Sequence, residues 1–145
     1  MARARGRHLV IAAGGIGLAP LSPAVHAAMA DRALYNGVHL FYGARTPKEM
    51  LYPSERSTWE DAGIRVHTAV DMAGPGWQGH VGVVTSLLKY GTFDPADTTA
   101  LVCGPEVMMK FTARELGRQG VPAGEIFLSM ERNMKCAVGI CGHCQ

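Results

Sequence analysis

His8-Leu9-Val10-Ile11-Ala12-Ala13-Gly14-Gly15-Ile16-Gly17-Leu18-Ala19-Pro20 runs from an apolar segment through three glycines into the start of a helical pattern. An apolar run that does not alternate with polar residues is the mark of a strand buried on both faces, as in a parallel sheet covered by helices. The glycines let the backbone approach a ligand closely, and the helix that follows offers unpaired N–H groups suited to a pyrophosphate. The spacing of Gly14, Gly15 and Gly17 is not the G-x-G-x-x-G fingerprint of dinucleotide folds. A tight strand-to-helix turn without a ligand is the other reading of this loop.

The same alternation continues along the chain. A helix is expected over 18–32, a strand over 38–42 (VHLFY), and a helix start at Thr46-Pro47-Lys48-Glu49, where a cap, a proline and an acid stand in order. Ser57-Thr58-Trp59-Glu60 repeats the capping pattern, and 64–70 (IRVHTAV) reads as a third strand. A short helix over 81–90, a strand over 99–102, a long helix over 105–119 and a fifth strand over 125–130 complete the series. Glu106 falls in the first turn of the long helix, where the dipole favours an acid. The expected fold is α/β: a doubly wound five-stranded parallel sheet with helices on both faces, followed by an irregular Cys-rich C-terminal segment. Its expected parts are an N-terminal extension over 1–7, a nucleotide-binding domain over 8–130 and a cysteine-bearing segment over 131–145.

Composition removes several function classes. With 145 residues, 48% hydrophobic and 18% charged, the chain has the make-up of one globular domain. A net charge of +2 and the lack of a basic run interleaved with aromatics argue against nucleic acid. No apolar run approaches the ~18 residues that a membrane helix needs. Arg3, Arg5 and Arg7 before an apolar run, with Ala24-Val25-His26-Ala27 after it, outline a secretory signal. Gly14, Gly15, Gly17 and Pro20 break that run where a signal wants continuous helix formers. Clustered cysteines suit metal ligation in a reducing compartment, so the expectation is cytoplasmic.

Those cysteines are Cys136, Cys141 and Cys144, spaced C-x4-C-x2-C on a glycine-bearing segment. That is the plant-type [2Fe–2S] spacing, which needs a fourth thiolate further along. A second glycine loop, Cys103-Gly104-Pro105-Glu106-Val107-Met108, follows the fourth expected strand. In open parallel sheets ligands bind beyond the carboxyl ends of the strands, so this loop and residues 14–17 can converge on one crevice. Cys103 has two further readings, a small buried hydrophobe and the missing cluster ligand. His143, between two of the cysteines, is a further candidate ligand.

Together, Gly14-Gly15-Ile16-Gly17-Leu18-Ala19-Pro20 and Cys103-Gly104-Pro105-Glu106-Val107-Met108 resemble the pyridine-nucleotide domain of the ferredoxin–NADP reductase superfamily. With Cys136-x4-Cys141-x2-Cys144 added, the chain resembles its electron-transfer subunits that carry a C-terminal [2Fe–2S] cluster. These are the dihydroorotate dehydrogenase and sulfhydrogenase-type subunits. Gly43-Ala44-Arg45-Thr46-Pro47 and Trp77-x-Gly79-x-Val81-Gly82 are similar to the latter branch.

The resemblance implies a function and a set of site residues. NAD(P)H would bind at Gly14, Gly15, Ile16, Gly17, Pro20, Gly104, Pro105 and Met108, with Cys103 beside the nicotinamide as the catalytic-site residue. Asp71 follows the third strand, where a carboxylate hydrogen-bonds a ribose hydroxyl and repels a 2′-phosphate, so NAD(H) is expected over NADP(H). Arg45 could reach a phosphate and argues the other way. Hydride would pass to FAD or FMN on a flavin-binding domain of the same full-length protein. Single electrons would then pass through the cluster to a catalytic partner subunit of a hydrogenase, sulfur-reductase or dehydrogenase complex. Neither the flavin barrel nor the fourth cluster cysteine is in this sequence, so the chain is expected to be the middle of a longer subunit. The alternative is a non-enzymatic nucleotide-binding domain with structural zinc at the terminal cysteines. A zinc site more often shows C-x2-4-C pairs set apart by a spacer.

Overall fold

The computed structural model describes Ala4, residues 6–130, and Cys136, Val138 and Ile140. Three strands arise in turn, β1 (His8–Gly14), β2 (Gly37–Ala44) and β3 (Arg65–Val70), followed by a two-residue β4 (His80–Val81). Then come β5 (Thr98–Cys103) and β6 (Ile126–Ser129). All pair in parallel, in the order β4-β3-β2-β1-β5-β6. The five expected strands are all present, and β4 makes a sixth. It was illegible as a strand because two residues carry no periodicity.

The apolar pattern of β1 explains the layering. Leu9, Ile11 and Ala13 pack on one face with Val25 of α1 (Leu18–Ala30) and Trp59 of α2 (Arg56–Asp61). Val10 and Ala12 pack on the other with Met109 and Leu116 of α3 (Glu106–Gln119) and with Leu87 and Leu88. Burial on both faces is why the strand has no polar alternation. Arg7 ties the start of β1 to the far side of the sheet, with ion pairs to Asp97 at 3.1 Å and Glu125 at 3.0 Å.

Three expected helices differ. The start signal at Thr46 yields only a 3-10 turn, Pro47–Glu49, because Met50 turns extended and the Leu51 N–H donates to Tyr42 Oη at 2.9 Å. Ser57 lies inside α2, which begins at Arg56, so the second capping pattern is no cap. The expected helix over 81–90 is shorter, a 3-10 helix over Val84–Tyr90, because β4 takes Val81 into the sheet before it starts. No helix among the described residues is long and apolar enough to cross a membrane.

Candidate functional site

The strand order places β1 and β5 side by side while their onward connections leave in opposite directions, so the sheet's switch point lies between them. Ala13 pairs with Cys103, so the two glycine loops start level with each other. They then touch. A Cβ at Gly17 would lie 2.4 Å from the Cys103 carbonyl oxygen, and one at Gly104 would lie 2.9 Å from the Gly14 nitrogen. Only glycine lets the chains pass that close. Gly17 is also the residue before α1, whose first turn carries no acid and has no side-chain cap. The Leu18 N–H is taken up by the Gly15 and Ile16 carbonyls and Pro20 has none, so what this helix end offers an anion is the field of its dipole.

A pocket of about 670 Å³ opens beside these loops. Its floor and walls come from four connections at the carboxyl edge of the sheet. Gly14 ends β1 and Gly15 follows it; Gly43 and Ala44 end β2, and Arg45 and Glu49 follow it. Asp71 follows β3, and Pro105, Val107, Met108 and Phe111 come from the β5–α3 loop and the first turns of α3. Val83, Val84 and Thr85 close the remaining side. Gly15 has φ +54, and a Cβ built there meets nothing within 4 Å. The β2–β3 ladder continues past the strand ends, with Asp71 N–H donating to Ala44 O at 3.1 Å and Met72 N–H to Arg45 O at 2.9 Å. That holds Asp71 and Arg45 on adjacent segments of the chain at the pocket.

Of the residues expected from sequence, Gly14, Gly15, Arg45, Asp71, Pro105 and Met108 line the pocket. Gly17, Gly104 and Cys103 do not. They form the packed junction beneath it, where Cys103 is buried. Ile16 is 82% exposed at the tip of the first loop, and Pro20 is an exposed residue of the first turn of α1. Sequence reasoning missed Glu49, which it read only as part of a helix start. It also missed Val107 and Phe111, an exposed i, i+4 apolar pair on α3 that could have been read as a binding face.

The iron assignment falls largely elsewhere. Cys141, His143 and Cys144 lie outside the described residues, and Cys136 is half-buried. Among the described residues no three His, Cys, Asp or Glu side chains gather as a metal site.

A family model described as the oxidoreductase NAD-binding domain matches residues 11–114. Over 96% of its length the chain is 36% identical to the sulfhydrogenase 2 gamma subunit of Pyrococcus furiosus, covering 52% of that protein. It is 40% identical, again over 96% of its length, to a probable dihydroorotate dehydrogenase B (NAD(+)) electron transfer subunit of Methanothermobacter thermautotrophicus, covering 47% of it. The chain thus spans about half the length of these curated relatives. Its fold matches a ferredoxin NADP+ reductase from Neisseria gonorrhoeae, solved with bound FAD and NADP. The TM-score is 0.69 at 21% identity, covering 88% of this chain and 58% of that one.

Proposed function

The chain belongs to the oxidoreductase NAD-binding domain family, and on that premise we propose that its pocket binds NAD(P)H, with NADH preferred, for a flavin-dependent reductase. The observation that carries this reading is the junction of two glycine loops at the sheet's switch point, next to a pocket large enough for much of a dinucleotide. Gly14 and Gly15 would let the pyrophosphate approach the backbone closely, within the field of the N-terminal end of α1. Residues 103–105 would take the nicotinamide end. Phe111, 53% exposed on the pocket wall, offers an aromatic face to the adenine. Asp71 would accept a hydrogen bond from the ribose.

Bound NADH supplies a hydride, whose acceptor in this reading is FAD or FMN on a flavin-binding domain of the same full-length protein. The chain's own contribution is position, exclusion of water by its apolar wall, and the field at the helix end. Cys136, Cys141 and Cys144 are the residues we assign to a [2Fe–2S] cluster, which supplies one-electron chemistry and whose fourth ligand would lie outside this chain. The relatives' names support a catalytic partner subunit of a hydrogenase, sulfur-reductase or dehydrogenase complex.

Calorimetric titration with NADH tests the reading. A valine at Gly15 would project into the pocket and strain a backbone at φ +54. Gly15→Val should therefore weaken NADH at least about tenfold, or ~1.4 kcal/mol. Unchanged affinity in a folded Gly15→Val variant would reject the site.

A further inference from the structure

We propose that Glu49 is a specificity-determining residue of the nucleotide pocket, where its carboxylate joins that of Asp71 in selecting NADH against NADPH. This rests on the nucleotide reading above and extends it to a residue that neither the loop motifs nor the strand ends indicate.

Glu49 ends the 3-10 turn Pro47–Glu49, two connections away from the glycine loops, yet it lines the same pocket as Asp71 and Arg45. The Thr46 hydroxyl donates to Glu49 Oε1 at 3.1 Å, which steadies the side chain. The Arg45 and Asp71 side chains make no hydrogen bond or ion pair with a described residue, so their charges face whatever enters. The charged lining of the pocket is therefore two carboxylates against one guanidinium. Either dinucleotide brings its pyrophosphate, which the field of the helix end can receive. NADPH adds a phosphomonoester carrying roughly −1.5 to −2 charge at neutral pH. One guanidinium sharing the pocket with two carboxylates leaves no net positive charge for it. A ribose hydroxyl, by contrast, can donate to either carboxylate. The sign of the pocket's charge thus favours the nucleotide without the extra phosphate.

Titration of the chain with NADH and with NADPH tests this, in the native protein and in Glu49→Gln, Asp71→Ser and Thr46→Val. The native chain should favour NADH. Glu49→Gln should narrow the preference roughly fivefold, mainly by tighter NADPH, as expected for removing one charge several ångströms from a phosphate in an open pocket. Added salt should then change the NADH:NADPH ratio less than in the native chain, because a screened charge has gone. Thr46→Val keeps the charge and should keep the ratio. The proposal is overturned if Glu49→Gln weakens both nucleotides alike, which would make Glu49 a loop brace. It is equally overturned if that ratio stays within about twofold of native while Asp71→Ser shifts it. Failure of either nucleotide to bind the native chain at millimolar concentration would instead remove the nucleotide reading, and this inference with it.

Discussion

A methyl group at position 17 would sit 2.4 Å from the carbonyl oxygen of Cys103 and 2.7 Å from the Cα of Gly104. Both are backbone atoms at the end of a central strand, so neither can yield without disturbing the β1–β5 pairing. Position 15, two residues after Ala13, the partner of Cys103 in the sheet, is the opposite case in packing, with open space around it and a left-handed φ of +54. The two glycines are therefore needed for different reasons, one steric and one conformational. Gly17→Ala should cost roughly 3 kcal/mol, the upper end of forced overpacking because the obstructing atoms are backbone, whereas Gly15→Ala should cost about 1 kcal/mol. Urea unfolding of the two variants measures both, and equal costs would contradict this division. The sequence made the glycines visible as a set but could not tell these roles apart. That distinction depends on which loop faces which, and it arises only once β1 and β5 are neighbours. Glu49 was hidden for a related reason. Its local context of Thr46, Pro47 and Lys48 reads as a helix cap, and the tertiary bond from Leu51 to Tyr42 halts that helix after one turn.

At the scale of elements, the strands were legible and the helices only partly so. Buried parallel strands are written as apolar runs, and each expected run is a strand, with ends displaced by a residue or two. Helix α1 was read as running on to residue 32, but it ends at Ala30 and carries Pro23 in its interior. Pro20 falls in the first turn, where the missing N–H has no intrahelical partner to lose. Pro23 is different, because its N–H would have bonded the Ala19 carbonyl. Its ring faces solvent, so the helix survives by packing Leu21, Val25 and Ala28 on the sheet. Pro23→Ala should raise stability by about 1 kcal/mol or somewhat more, less than the ~3 kcal/mol of a mid-helix proline because the site is near the helix start. A rise in the thermal midpoint with unchanged NADH affinity is the expected result. A lower midpoint would mean that Pro23 supports the glycine loop before it.

For the whole molecule, the least expected feature lies at the edge of the sheet opposite the pocket. His39 is completely buried near the start of β2. Its ring stacks on Phe41 and His67 with centroids 5.8 and 5.6 Å away, and Phe93 meets it edge-on at 5.6 Å. His39 Nδ1 and His67 Nε2 are 3.4 Å apart, the tautomer deciding which of them donates, while His39 Nε2 has no hydrogen-bond partner among the described residues. Burial, then the nearby His67, Arg65 and His8, lower the His39 pKa from 6.5 to about 4, with the Thr92 backbone offsetting a part. His67 is lowered too, by burial and by Arg65 and Arg56. The sign follows from proton uptake. Between pH 6.5 and 4 the unfolded chain protonates His39 and the folded chain does not, and the lowering at His67 acts in the same direction, so acid favours unfolding. Stability should be intact above pH ~6.5 and fall through that window, with His39 alone contributing a loss on the order of 3 kcal/mol by pH 4. His39→Phe removes the titrating group and the orphaned nitrogen while keeping a ring in the stack. Urea unfolding from pH 7.5 to 4.5 should show a shallower decline in His39→Phe than in the native chain. Parallel declines would place the acid sensitivity in other groups and leave His39 a packing residue only.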